Sequence, residues 1–480
     1  MQATPRHSHW SLPIPRQIND KPRPFMPSIP SSPPLDRSAW SFPDDVIYLN
    51  HGSFGPAPLV VHEAREEWSR RLNANPMDFF LRAMEPALDE AASRLGQLVG
   101  ADARDLVFVE NATIAMNVVA ESLPLGPGDE VLLNDHEYGA VFRIWRRACE
   151  LVGAKIVSAT LGATQTKSPP HPNPLPHKAG GEGTGESPPL PPQTGGRGDE
   201  GVEPRRFADA TADIIEPILA AITPRTKLIV VSHVTSPTGI VFPVAEICQA
   251  ARARGIPVCI DGPHAIAMRE VNLRKIDCDF YCASLHKWLS APFGSGFLYV
   301  RRSWQSKLKP HLISWGRSLG GRPARWQDDL NWLGTRDPAP FLAVPAAIEF
   351  LERIGFDTFR QLTHDLAQYA RQRLEKTLGQ VATIPDSPDW YGSMIAVPLM
   401  EGRSQESGDA SQEKSQKQKK SPPNAIHPLQ QWLWDRHRIE VLVTECHGQR
   451  YLRASCQLYN SKSDIDALAE ALTQSGPMPL

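Results

Sequence analysis

From residue 46 to 300 the chain alternates short, continuous apolar runs with segments of helical period. The runs are Val46-Ile47-Tyr48-Leu49, Leu106-Val107-Phe108-Val109, Val131-Leu132-Leu133, Lys155-Ile156-Val157, 227–231, 257–260, Phe280-Tyr281-Cys282 and 297–300. Between them, apolar residues three and four apart predict helices over 59–72, 77–98 (closed by Gly100), 138–151, 213–222 and 244–254, with a further helix ending at Ala120. Runs apolar on both faces need cover on both faces, so the alternation predicts an α/β fold with a mainly parallel, seven-stranded-type sheet covered by helices. The rhythm changes near residue 340. Two long helices (341–351 and 356–378) precede strands near Ser393, Glu440 and Tyr451, and a closing helix over 463–474 has Ser463 as its cap. The pattern divides the chain into a large domain at 45–339 and a smaller C-terminal α+β domain at 340–480.

Composition changes this picture at three places. Of 46 prolines, nine lie in residues 1–39 and ten in 168–204, where a packed core is least favoured. Residues 1–44 therefore read as a disordered, proline-rich extension, and 162–206 and 401–426 as low-complexity inserts in surface loops. Charge is nearly balanced, with 51 basic and 53 acidic residues and a net charge of −2, so nucleic acid is not an expected partner. The one dense basic run, 414–420, interleaves Gln and Ser and reads as solvated linker. Leu190-Pro191-Pro192 is compatible with a polyproline II segment, though flexible filler accounts for it as well. No apolar run is long enough for a bilayer span, and the N-terminus lacks an apolar signal core. The seven cysteines are an odd number, set mostly within apolar runs. These features lead us to expect a cytoplasmic protein with reduced thiols and no membrane partner.

Five clusters carry candidate chemistry. Ala283-Ser284-Leu285-His286-Lys287-Trp288 ends a strand; a partly desolvated lysine there has a lowered pKa and can form a Schiff base, while the bland reading is a surface lysine. Gly294 and Gly296 follow it but precede a strand, so they are not a dinucleotide fingerprint. Asp261-Gly262-Pro263-His264 places an acid at the carboxyl end of an apolar strand, where α/β sheets collect ligands. Such a carboxylate can keep a pyridinium nitrogen protonated, or it can simply start a turn. Asp261 and His264 have no matching third ligand, and no metal site is expected. Glu110-Asn111-Ala112-Thr113 opens a helix, where Asn111 or Thr113 can cap and the amides suit a phosphate. It also matches a glycosylation triplet, by chance in a cytoplasmic protein, and the glycine-rich 180–187 lacks the lysine and strand of a P-loop. Tyr138, in His136-Glu137-Tyr138-Gly139-Ala140, can lie flat on an aromatic cofactor or pack on the core. Arg453, inside an apolar run, can clamp a substrate carboxylate or form a structural ion pair.

In this order the clusters resemble the class V aminotransferase family of fold type I pyridoxal-phosphate enzymes, and within it the isopenicillin N epimerase-like branch. The matching stretches are YLNHGSFGP (48–56), ENATIAMN (110–117), HEYGA (136–140), SHVTSPTG (232–239), IDGPHA (260–265), SLHKWL (284–289), WLGTRDPAP (332–340) and LRASCQLYN (452–460). Each is weak alone; eight in order are specific for the family and much less so for the reaction. The resemblance implies pyridoxal 5'-phosphate held on Lys287 as an internal aldimine. Asp261 would pair with the ring nitrogen, and His264 would lie by the phenolic oxygen. Asn111, Ala112 and Thr113, with Ser284 and His286, would hold the phosphate, and Tyr138 would stack on the ring. Arg453, with His51, would bind the substrate. Thr335 matches a phosphate ligand that the family supplies from the neighbouring subunit, which implies a homodimer with shared sites.

Departures from the desulfurase relatives are Ser236 for Asn, Tyr138 for His, and Cys446 only seven residues before Arg453, too close for a mobile nucleophile loop. Cys446 is expected in a tight turn between strands. The expected activity is chemistry at the α-carbon of an amino acid, by epimerisation or amino transfer. Lys287 would take the α-proton, and Tyr138 would return one on the opposite face. A C–S lyase or cysteine desulfurase-like enzyme and a non-catalytic binding protein are the competing readings.

Overall fold

The protein is seen in a computed structural model that describes residues 37–162, 205–400 and 426–474. The strands are β1 (Ile47–Tyr48), β2 (Leu106–Val109), β3 (Glu130–Asn134), β4 (Lys155–Ala159), β5 (Thr226–Ser232) and β6 (Val258–Asp261). They continue with β7 (Phe280–Ser284), β8 (Gly296–Val300), β9 (Met394–Pro398), β10 (Ile439–Glu440), β11 (Leu442–Cys446) and β12 (Gln449–Ser455). Seven of them form one sheet in the order β2-β8-β7-β6-β5-β3-β4. Five neighbours, β4 to β7, pair in parallel, and β8 runs antiparallel to both β7 and β2. This is the mainly parallel, seven-stranded sheet that the sequence pattern predicts.

Alternate residues of each strand serve different layers, as a pleated strand requires. Val107, Val131, Val230 and Cys259 pack with Met116 and Trp145 of the helices Ala112–Ser122 and Gly139–Val152. Leu106, Leu132, Ile229 and Ile260 join a larger core with the helices Val344–Ile354 and Phe356–Leu378. Edge strand β4 keeps exposed Lys155 and Ser158, which blunts its open side. A second sheet, β11-β12-β9, is antiparallel and lies in the C-terminal part.

Two predicted helices are interrupted. The 77–98 segment divides into Pro76–Asp78, a wide turn at Phe79–Ala83 and the helix Met84–Val99. Residues 213–222 likewise divide into a wide turn, Thr211–Ile215, and the helix Glu216–Ala220. In both, a proline (Pro86 or Pro217) stands just beyond the wide turn, and its missing N–H removes one rung of the helical ladder. Gly100 closes the first helix at φ 63°, in the left-handed region a C-cap needs. The closing helix is Lys462–Gln474, and the hydroxyl that caps it is that of Ser461, which accepts from the Asp464 N–H at 3.4 Å; Ser463 already lies inside.

The N-terminal expectation needs correction for residues 37–44. Trp40 is buried there, stacks edge-on against Phe350 and Tyr459, and donates its indole N–H to Pro56 O at 3.2 Å. β1 pairs with β10 and Asn50 bridges to Ser455, so the first strand of the expected large domain is stitched to the C-terminal part. Residues 1–36, the run 414–420, the glycine-rich 180–187, Leu190-Pro191-Pro192 and nearly all of both inserts lie outside the described residues. Among the described residues all seven cysteines are buried and free, and no helix is long and apolar enough to cross a membrane.

Candidate active site

The carboxyl ends of the parallel strands converge on Lys287. β6 ends in Asp261, β7 ends in Ser284, and the loop after β7 carries His286 and Lys287. Register ties them together: Ser232 pairs with Asp261, Asp261 with Cys282, and Ser284 with Gly296. A glycine at 296 is a packing requirement. A Cβ there would stand 2.6 Å from Ala283 O and 2.8 Å from Asn111 Cα, both backbone atoms that cannot yield. This close approach sets the helix start at Asn111 against the end of β7.

Lys287 Nζ lies 2.8 Å from His264 Nε2, and Trp288 Nε1 donates to His264 Nδ1 at 3.4 Å. An indole N–H can only donate, so Nδ1 is the acceptor and the neutral imidazole carries its proton on Nε2, facing the amine. Burial and the positive charges of Lys287 and Arg453 hold His264 well below its ordinary pKa. Burial, then the Arg453 charge, lowers Lys287 to about 7, with Asp261 opposing. Asp261 is raised to about 6 by burial, with Lys287 opposing. The surface-lysine reading fails on this geometry.

The helix Ala112–Ser122 begins as an anion site begins. Asn111 is its cap, its Oδ1 accepting from Ile114 N at 3.0 Å, and Ala112 N donates to Ser284 Oγ at 3.0 Å. Thr113 is exposed beside them. His286 Nδ1 is buried with no hydrogen-bond partner, and its ring packs against Phe293.

Arg453, on β12, is 1 % exposed and reaches only neutral oxygens: Ser236 O at 2.5 Å, Ser236 Oγ at 3.4 Å and Ser53 Oγ at 2.7 Å. Its Nε has no partner, and no carboxylate pairs with it among the described residues. The structural ion pair is therefore absent. Burial lowers its pKa to about 10, with the Tyr138 phenol the opposing influence. Tyr138 itself is 50 % exposed, at the start of the helix Gly139–Val152.

His51 differs from its expected place at the substrate. It is fully buried; Nδ1 meets Tyr459 Oη at 2.9 Å, and Nε2 meets Lys287 O at 3.0 Å and Gln457 Nε2 at 3.1 Å. With both ring nitrogens engaged by protein, it braces the Lys287 backbone from behind. Thr335 is exposed on the loop before the helix Ala339–Leu342. Its neighbour Arg336 pairs with Glu110, next to Asn111.

Three roles escaped sequence reasoning. Ser53 and Ser236 orient Arg453. Glu137 accepts from Ser232 N at 2.8 Å, Ser232 Oγ at 2.9 Å and Asn134 Nδ2 at 2.5 Å. Burial and the Asp261 carboxylate push Glu137 up to about 8, making it an inward acid beside the first. Glu137 lay inside a matched stretch, but nothing in its spacing distinguishes it from a helix-start carboxylate. A surface groove of about 630 Å³, lined by Thr226, Pro257, Trp304 and others, opens at the amino ends of β5 and β6 and contains none of these groups.

These residues fit pyridoxal phosphate. Orphaned polar atoms (His286 Nδ1, Arg453 Nε and Ser455 Oγ) occur alongside a lowered amine, an inward acid and a helix N-terminus, the complement that an aldehyde, a pyridine nitrogen and a phosphate require.

Comparison with known proteins agrees. The family model described as Aminotransferase class-V matches residues 47–171 and 207–468. The isopenicillin N epimerase of Streptomyces clavuligerus is 33% identical over 438 residues, covering 89% of this chain and 94% of that protein. The isopenicillin N epimerase of Amycolatopsis lactamdurans is 33% identical over 441 residues, covering 89% and 95%. Among solved structures, a C-DES variant with glycine covalently linked to its pyridoxal-phosphate cofactor superposes with a TM-score of 0.68 at 17% identity, covering 90% of this chain and 97% of that one.

Proposed function

The chain belongs to the class-V aminotransferases, pyridoxal-phosphate-dependent enzymes, and from that premise we propose that it moves the α-proton of an amino acid, as an isopenicillin N epimerase-like epimerase or in amino transfer. Bound in the site, the cofactor supplies an aldehyde that captures amines and a ring that spreads negative charge from the α-carbon. The observation that carries the reading is Arg453, a buried guanidinium with no anion of its own. A buried cation without a counter-charge is costly, and a substrate carboxylate relieves that cost while fixing the amino acid's orientation.

Lys287 then has two tasks. Its amine, deprotonated above about pH 7, would hold the cofactor and, when free, would accept the α-proton at Nζ. His264, whose Nε2–H faces the Lys287 amine, would donate to the cofactor's phenolic oxygen. Asp261 would hold a proton at the ring nitrogen. The helix start at Asn111, Ala112 and Thr113, with Ser284 and His286, takes the phosphate. Tyr138, at the start of the helix Gly139–Val152, is the candidate for returning a proton on the other face. Cys446 argues against persulfide chemistry. It is buried at the end of β11, beside the hairpin turn, and burial pushes its thiol to about 12.

The test is a panel of amino acids incubated with the holoenzyme in deuterium oxide. Solvent deuterium at the α-carbon with both epimers recovered supports epimerisation. Stereochemically pure substrate with stoichiometric keto acid means transamination, and pyruvate from a cysteine conjugate means C–S cleavage. No α-exchange with any amino acid, together with no borohydride-reducible link at Lys287, overturns the reading.

A further inference from the structure

Outside the active site, His136, Cys446 and His447 bring three metal-ligating atoms within 4.8 Å of one another. They come from two distant parts of the chain. His136 follows β3, and Cys446 and His447 form the tip of the β11–β12 hairpin. His136 and Cys446 are buried, and the side chain of His447 is only 24% exposed. Against the sequence expectation of no metal, we propose that these three side chains form a divalent transition-metal site, zinc by their chemistry, which clasps the hairpin to the large sheet.

Four observations support it. First, the donor set is one thiol and two imidazoles, the combination that zinc prefers over calcium or magnesium. Second, His136 Nδ1 lies 3.1 Å from Asp135 Oδ1, which leaves Nε2 as its free donor. A carboxylate behind a ligating histidine is the usual support of a metal-bound imidazole. Asp135 is itself fixed by Arg205 at 2.6 Å and by Leu161 N at 3.1 Å. Third, His447 Nε2 is buried and makes no hydrogen bond, although Asp135 Oδ2 is 3.5 Å away. A buried nitrogen held only at ion-pair range, with no hydrogen bond, has a lone pair free for a metal. Fourth, His447 sits at φ 54° in the two-residue turn with Gly448 at φ 77°. Such a turn most favours Asn-Gly, and the left-handed conformation, which histidine tolerates, sets the His447 ring at the hairpin tip.

Ligation replaces the thiol proton of Cys446, which passes to solvent, and leaves one tetrahedral position for water. The clasp joins the hairpin that carries Arg453 to the segment that runs on into Glu137 and Tyr138, a positioning role independent of the reaction proposed above.

The experiment uses full-length holoenzyme without an affinity tag, dialysed against zinc and then against buffer, with metal content, zinc X-ray absorption and thermal unfolding as readouts. We expect about one zinc per chain with a sulfur ligand at about 2.3 Å and a melting temperature that falls on chelation. Cys446→Ser and His447→Asn should each lose the zinc and the chelator-sensitive part of the melting temperature. Asn suits the left-handed turn, so the second variant removes the ligand while keeping the hairpin, and an unchanged cofactor spectrum verifies its fold. A zinc-free wild type, a sulfur-free zinc shell, or zinc retained by both folded variants overturns the proposal.

Discussion

At the scale of single residues, burial decides which candidates matter. Arg453 is the sharpest case, because an unpaired buried guanidinium separates stability from activity. Arg453→Met removes the cost of a desolvated charge, so the substrate-free enzyme should melt no lower than wild type. Its kcat/KM for carboxylate-bearing substrates should fall by about two to three orders of magnitude, ~3–4 kcal/mol of lost charge pairing. Thermal unfolding and steady-state kinetics on the same preparation check both halves. Lys287 gives a pH signature. In the unfolded chain it holds its proton to about 10.5, but in the fold only to about 7. Between those values the unfolded state binds more protons, so this residue makes the cofactor-free protein more stable as pH rises through that window, and its full cost is present below pH 7. Denaturant unfolding of cofactor-free protein across pH 7 to 10.5 should show that slope, and Lys287→Met should flatten it. Strand-end position made Lys287 legible in the sequence, and a charge inside an apolar run made Arg453 so. The true task of His51 was not, because its partners Tyr459 and Gln457 lie some four hundred residues away.

At the scale of elements, legibility followed the strength of the local signal. Fully apolar runs such as 106–109 and 280–282 became buried strands because a strand covered on both faces buries consecutive apolar residues and satisfies their backbone at once. The helix Phe356–Leu378 matched to the residue, between a glycine at each end, Gly355 and Gly379. Errors arose where short-range and long-range forces competed. The wide turns before Pro86 and Pro217 preserve the hydrophobic face across a lost hydrogen bond, a compromise that periodicity does not report. The pairing of β1 with β10 is a contact between chain ends that no local pattern encodes. For the same reason His136 and Cys446, each read as part of a separate motif, did not suggest a common site until the hairpin brought them together.

At the scale of the whole molecule, one chain leaves large apolar side chains uncovered. Leu312, Ile313 and Trp315 follow β8 and are 54%, 93% and 64% exposed, and Phe293, whose ring lies against His286, is 48% exposed. Large apolar side chains in such a run mark a surface made to be covered. We expect a second copy as the cover, since the family resemblance assigns Thr335 to the neighbouring subunit's phosphate site and Thr335 is exposed here. In a homodimer, Thr335 of the partner subunit would complete the phosphate site. Ile313→Glu should then produce monomers by sedimentation and weaken pyridoxal-phosphate retention, whereas Thr335→Ala should weaken retention while leaving the dimer intact. A wild type that is monomeric at micromolar concentration and still holds its cofactor would show that each chain's site is complete alone.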